Sequence, residues 1–171
     1  MQFTKDSFYM TLRERLASLN PQRTITLNGA TRPAIVVAEN ELVIPVDPMP
    51  DAYYIEWGAA QAVQQHSRRP VFAMDCVISY HTLGTVQSGV DRGRTLAALD
   101  TELIGILQPA RTAKRDFTQA PSGDLGTNIW WTMPLLGEVT GGDAGCNTEL
   151  APRLERRAST KVFFFPEVDS L

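Results

Sequence analysis

Val71-Phe72-Ala73-Met74-Asp75-Cys76-Val77-Ile78-Ser79-Tyr80, residues 71–80, carries the clearest strand pattern in the chain. Phe72, Met74, Cys76, Ile78 and Tyr80 recur at every second position, while Asp75 and Ser79 point the other way. That period of two belongs to a strand with one face on a core. Working towards the C-terminus, 83–87 reads as a loop and a helix follows over 88–107. Ser88 is placed to cap it, with Asp91 three positions on. Leu96, Leu99, Leu103 and Ile106 recur at helical spacing, and Pro109 stops the run.

Towards the N-terminus, Tyr53-Tyr54-Ile55-Glu56-Trp57 is a second strand, and 59–65 fits a helical turn or a continuation of that strand. Pro45, Pro48 and Pro50 separate it from short strands at 34–38 and 42–44. Residues 23–27 alternate polar and apolar and meet Asn28-Gly29, a strong tight-turn pair. The chain opens on an amphipathic helix over 7–19. Asp6 or Ser7 is its expected cap, Phe8, Leu12, Leu16 and Leu19 form its apolar face, and Asn20-Pro21 ends it.

The C-terminal third carries two segments without periodicity. Residues 110–126, with Arg111, Lys114, Arg115, Pro121 and Gly123, read as a long polar loop. Residues 140–152, with Asp143 and Glu149, read as a second. Between them Ile129, Trp131, Met133 and Leu135 alternate as one face of a strand. The last strand, 156–165, sets Ala158, Val162 and Phe164 against Arg157, Ser159 and Lys161. Phe163, Phe164 and Phe165 run consecutively, so both faces there need cover. This order lacks the strand–helix alternation of a doubly wound sheet. The expected fold is α+β, a mainly antiparallel sheet with two helices packed on one face, in a single domain.

The composition is that of an ordinary folded protein: 171 residues, 43% hydrophobic and 20% charged. Sixteen Lys and Arg against nineteen Asp and Glu give a net charge of −3, so the chain has no overall pull towards nucleic acid or anionic membrane. Cys76 and Cys146 are too few for a disulfide framework. The N-terminus has no apolar run of signal-peptide length, and no stretch is long enough to span a bilayer, so a cytosolic protein with reduced thiols is expected.

Gly84-Thr85-Val86-Gln87-Ser88-Gly89 has the glycine spacing of a phosphate loop between a strand and a helix. Val90-Asp91 follows where phosphate chemistry needs Lys and then Ser or Thr. Gly141-Gly142-Asp143-Ala144-Gly145 precedes no helix that would present an N-terminus to an anion. His66 and His81 lack partners at zinc-ligand spacing, Asp75 lacks a partner acid or nucleophile, and Gly-x-Ser-x-Gly is absent. No catalytic, cofactor or metal residue is therefore assigned, and no cofactor is expected. Arg111, Lys114 and Arg115, beside Phe117, form the densest basic cluster. It is short and lacks interleaved aromatics, so a protein interface is preferred to nucleic acid.

The order of elements resembles the phage tail-terminator family, the small proteins that cap the tail tube. The resemblance spans most of the chain and rests on four stretches. These are Leu-Arg-Glu-Arg-Leu-Ala-Ser-Leu (12–19), Thr-Leu-Asn-Gly-Ala-Thr-Arg-Pro-Ala-Ile-Val-Val-Ala-Glu-Asn (26–40), Asp-Arg-Gly-Arg-Thr-Leu-Ala-Ala-Leu-Asp-Thr-Glu-Leu (91–103) and Ala-Ser-Thr-Lys-Val-Phe-Phe-Phe (158–165). It implies a structural protein without an active site, built as a ring of identical subunits, commonly six. Its partners would be itself, the tail tube protein and the head–tail connector. It would be assembled in the bacterial host cytoplasm and reside in the virion tail. In such a ring the basic Arg111, Lys114 and Arg115 of one subunit would face the acidic Asp143 and Glu149 of the next. The alternative is a small ligand- or nucleotide-binding enzyme domain using the Gly84 to Gly89 loop.

Overall fold

The computed structural model of the chain describes residues 1–37, 39, 48–63, 69–84, 91–141 and 153–166. The stretch that opened the reading is the central strand β5, Phe72–Thr82. It runs antiparallel to β4, Tyr53–Ala62, on one side and to β9, Leu154–Phe164, on the other. Its apolar alternation gives Met74, Cys76, Ile78 and Tyr80 to the core, while Asp75 lies in solvent. Residues 59–62, which fitted helix or strand equally, continue β4 through a register shift between Trp57 and Ala60.

The main sheet runs β3-β4-β5-β9-β7-β6, with β8 also paired to β9. β3, Ile35–Val37, is parallel to β4, and the other neighbours are antiparallel. Among the described residues β6, Arg111–Asp116, pairs only with β7, Gly123–Trp131. β7 and β8, Leu135–Gly141, lie end to end along β9. Thr132 bridges the break between them: its N–H donates to Lys161 O (3.1 Å), its hydroxyl accepts from Lys161 N (3.1 Å), and its carbonyl accepts from Thr160 Oγ1 (2.7 Å). A separate hairpin joins β1, Thr24–Leu27, to β2, Ala30–Pro33. Asn28 (φ 50°) and Gly29 (φ 78°) are both left-handed, as the expected two-residue turn requires.

The helices α1, Gln2–Leu19, and α2, Asp91–Ile106, cover one face of the sheet. Phe8, Leu12 and Leu16 of α1, with Leu96, Leu99, Leu103 and Ile106 of α2, join Met74, Ile78, Trp131, Val162 and Phe164 in one apolar cluster. Phe8 is its wedge, edge-on to Trp57 at 5.4 Å and to Trp131 at 5.2 Å. Arg15 lies over the Trp131 ring (5.1 Å) and donates to Ile106 O (2.8 Å) and Gln108 O (2.9 Å). Trp131 Nε1 donates to Leu107 O (3.1 Å). The last carbonyls of α2 thus end on a cation and an indole, satisfying acceptors that a helix terminus leaves open.

Several expectations need correction. α1 begins at Gln2, five residues before the expected start, so neither Asp6 nor Ser7 caps it. The Ser7 hydroxyl instead donates to Phe3 O (2.6 Å) and accepts from Arg115 N (2.9 Å), tying the helix to β6. Leu19 leaves the apolar face and is 54% exposed, lying against Gly105 near the end of α2. Residues 110–126 are not one long loop, since only a turn at 117–122 separates two strands. They form β6 and the start of β7, and Lys114 is buried there, donating to Phe165 O (2.9 Å). Met133 and Leu135 do not continue the face of Ile129 and Trp131, since the ladder is interrupted at 132–134 and both side chains are exposed. Thr140 and Gly141 belong to β8. The expected strand 42–44, the Ser88 cap and the rest of 140–152 lie outside the described residues.

Replacing Phe8 with Ala removes the wedge between the two indoles and is expected to destabilise the fold by about 3–5 kcal/mol. Urea unfolding followed by tryptophan fluorescence measures this directly, and Phe8→Leu should retain most of the lost stability.

Candidate functional site

The most concentrated polar chemistry lies between α2 and the sheet. Tyr53 of β4 and Tyr80 of β5 stand edge-to-face at 5.4 Å under the helix. The Tyr53 hydroxyl donates to Leu99 O (2.9 Å) and lies 3.3 Å from Glu102 Oε2. Arg23 clasps Glu102 with Nε (2.9 Å) and a terminal nitrogen (3.0 Å), and Asn20 Nδ2 adds a third donor at 2.7 Å. On the other flank Tyr80 donates to Asp100 Oδ1 (2.5 Å), and Arg156 Nε stands 3.0 Å from the same oxygen. A terminal nitrogen of Arg156 continues to Gly137 O (2.7 Å) in β8.

These environments lock charge states. Burial pushes both tyrosine hydroxyls far above their ordinary range, and the neighbouring carboxylates push them the same way. Burial alone would raise the Glu102 carboxyl, but the bonds from Arg23 and Asn20 prevail and hold it below the carboxylate norm. The hydrogen bond to Glu102 raises the Arg23 guanidinium in return. A general acid or base needs a pKa near the working pH, and these groups are driven away from it. The arrangement anchors a helix.

The residues singled out in the sequence are scattered. His66 lies outside the described residues, as do Cys146, Asp143 and Glu149. His81 is buried at the end of β5, in register with Glu155. Asp75 is exposed on the outer face, 3.4 Å from Lys161. Cys76 is fully buried, and burial pushes its thiol well above the ordinary range. Gly84 (φ 65°) sits against the first turn of α2, where a Cβ would come within 2.3 Å of the Arg92 side chain. The rest of that glycine loop lies outside the described residues. Among the described residues no group of three or more His, Cys, Asp or Glu is placed to hold a metal ion.

The basic cluster is divided by the strand it lies on. Lys114 turns inward to Phe165 O, while Arg111 and Arg115 are exposed. The Arg111 guanidinium reaches the Asn128 amide oxygen at 3.1 Å across the hairpin. Sequence density alone could not separate the three, because it takes the strand alternation of β6 to turn Lys114 inward with Asp116 and leave Arg111 and Arg115 on the opposite side.

The surface that sequence reasoning missed is β8. Leu135 is 73% exposed and Val139 44%, and nearly every residue of the strand lies in solvent. Beside it lies an open groove of about 420 Å³ lined by Val77, Leu135, Leu136, Gly137 and Ala158, with Glu138 and Arg157 at its rim. The alternation of Met133 and Leu135 is the available signal, and it reads as a continuation of the Ile129 and Trp131 face. The outer sheet face beyond the groove carries cross-strand pairs, Glu56 with Arg157 (3.6 Å) and Asp75 with Lys161. At its far end Trp130 stacks on Phe163 (5.8 Å, 8°) and leans on Phe165. The chain matches no family model and no curated protein.

Two measurements test these assignments. Glu102 has a lower pKa folded than unfolded, so the unfolded chain takes up the proton first as pH falls. Its stabilisation is complete above the ordinary value of about 4.3 and is lost as pH drops through the folded value. Glu102→Gln should therefore lower the melting temperature at pH 7, and its deficit against the parent should narrow towards pH 3. Lys114→Glu should be destabilising by more than about 2 kcal/mol, as expected for an uncompensated buried charge. Arg111→Glu and Arg115→Glu, at exposed positions, should stay within about 0.5 kcal/mol of the parent.

Proposed function

We propose that this chain is a structural subunit of the phage tail-terminator type, one that forms a ring of identical copies and caps the tail tube where it meets the head connector. The observation that carries this reading is β8, a seven-residue strand with Leu135 and Val139 in solvent and with Met133 exposed just before it. Such an edge is a template for another chain. Contiguous exposed apolar surface of this kind marks an interaction site on a protein that otherwise buries its core. The interior supports the same reading, since its polar groups are committed to holding the helices on the sheet. In this role specificity comes from surfaces that meet only in the assembly, and identical subunits with two different mating patches close into rings when the rotation per copy permits.

The full-length chain should sediment as a species several times its monomer mass and give ring-shaped particles by negative-stain electron microscopy. Added to growing tail tubes of its own phage, it should arrest elongation and decorate one end. A protein that stays monomeric at every concentration and leaves tube length unchanged would overturn the proposal. A melting-temperature rise with ATP or GTP would instead favour a nucleotide-binding domain at the Gly84 loop.

A further inference from the structure

Given that assembly reading, on which this step rests, two particular surfaces of the chain are matched to one another. We propose that Leu125 of one copy seats in the groove beside β8 of the next, a contact between the distal β6–β7 hairpin and the Val77, Leu135, Leu136 and Gly137 surface.

The hairpin is built as a knob. β9 accompanies β7 only from Ile129 to Trp131, so the hairpin runs on past the end of the ladder with β6 as its partner strand. Between the pairs Ala113↔Asn128 and Arg115↔Asp124, three residues of β7 stand opposite Lys114 alone. Leu125 lies on that bulge and is 39% exposed. The buried Lys114 stands opposite the bulge, and Gly126 (φ 69°) shapes it from within, its N–H donating to Asp124 Oδ1 at 2.8 Å. An apolar side chain raised on a braced bulge loses little conformational freedom on docking.

The groove is equally preformed. The register shift between Leu136 and Val139 opens it, and Gly137 permits it, since a Cβ there would come within 2.7 Å of Arg157 O. Arg156 holds the Gly137 carbonyl from the interior side, and Arg156 is itself fixed by Asp100. Knob and groove lie on one line, because β7 and β8 run end to end along β9. From Leu125 to Gly137 is twelve residues, at most about 38–41 Å of strand at roughly 3.2–3.4 Å per residue. A displacement of that size along one line makes a copy-to-copy contact in which unlike surfaces meet.

Charge complementarity names the occupant as a second copy of this chain. Arg115 and Asp124 are directly opposite each other beside the knob, and both are exposed. Glu138 and Arg157 flank the groove, also exposed. A positive and a negative group at the knob thus meet a negative and a positive group at the groove. Arg157 reaches Glu56 only at 3.6 Å between exposed side chains, a contact that yields readily to a better one. These pairs set orientation and encounter rate, while Leu125 and Leu135 supply the apolar burial.

The test uses the full-length chain and two variants, Leu125→Asp and Leu135→Asp, each checked by melting temperature. Each should weaken self-association about tenfold or more, the loss expected from burying one aliphatic side chain less. Mixed together they should form a one-to-one pair and stop, because Leu135→Asp keeps the knob and Leu125→Asp keeps the groove. If either fails to fold, Leu125→Ser and Leu135→Ser replace them. In a separate pair, Glu138→Lys should weaken assembly at low salt, and adding Arg115→Glu to the same chain should restore it. Rings formed equally by the parent and both single variants would overturn this contact and leave the assembly reading standing. Folded variants that never pair on mixing would overturn it too. A parent that is monomeric and inert towards tubes defeats the assembly reading itself, and the contact with it.

Discussion

Two half-buried carboxylates on one helix set the terms for the rest of the molecule. Asp100 and Glu102 are two residues apart on α2, so they leave the helix on opposite flanks of its contact face. Each needs partners, since a carboxylate removed from water without them is strongly disfavoured. Tyr80 and Arg156 meet the first, and Tyr53, Arg23 and Asn20 meet the second. A helix held from both flanks cannot roll on the sheet, so Leu96, Leu99, Leu103 and Ile106 are committed to one set of neighbours. Removing Arg23 or Arg156 would leave a half-buried carboxylate without its cationic partner, which is more destabilising than losing a neutral contact.

That constraint reaches the surface through Arg156. The same guanidinium that neutralises Asp100 donates to Gly137 O, so the bulge of β8 is braced from inside the protein. An edge strand with almost no covered face would otherwise have little to define its shape. α1 plays the matching part at the other end of the strand line. Its Ser7 hydroxyl accepts from Arg115 N, and its Arg15 closes the C-terminal carbonyls of α2. The helical layer thus shapes both the hairpin and the edge strand, although neither is part of the core.

What the sequence disclosed follows from where apolar burial is one-sided. The alternation in β5 and β9, the stripe of α2 and the Asn28-Gly29 turn were all legible, because each rests on a local period or on a local steric demand. β6 was not. Arg-Thr-Ala-Lys-Arg-Asp carries no apolar period, and its strand is held by ladder bonds to β7 and by Ser7, which is 108 residues away from Arg115 in sequence. The early start of α1 was hidden by its own sequence, since Asp6 and Ser7 look like caps while Gln2 to Lys5 offer none. The two clamps on α2 were equally hidden. Tyr53, Arg23 and Glu102 are distant in sequence, and only the tertiary fold makes them one cluster. Conversely, Met133 and Leu135 kept a strand-like alternation that the break at 132–134 turns outward.

The distribution of polar and apolar groups on the outer sheet face argues where a partner would bind. Over β4, β5 and the middle of β9, that face carries opposite charges across strands, Glu56 with Arg157 and Asp75 with Lys161. Trp130, Phe163 and Phe165 cover one another at one end and are each only half-buried. Such a face is already suited to water. Its β8 margin is not, since Leu135 lies in solvent beside a groove that exposes Val77 and Leu136. A partner spread over the face would have to desolvate the charged pairs, at a loss their mutual attraction only partly offsets. A partner confined to the margin would cover apolar surface, engage Arg157 at most, and leave Asp75 and Lys161 hydrated. Energetics therefore favour contact at the edge over contact on the face, and an edge contact between identical subunits extends outward from the sheet without burying it.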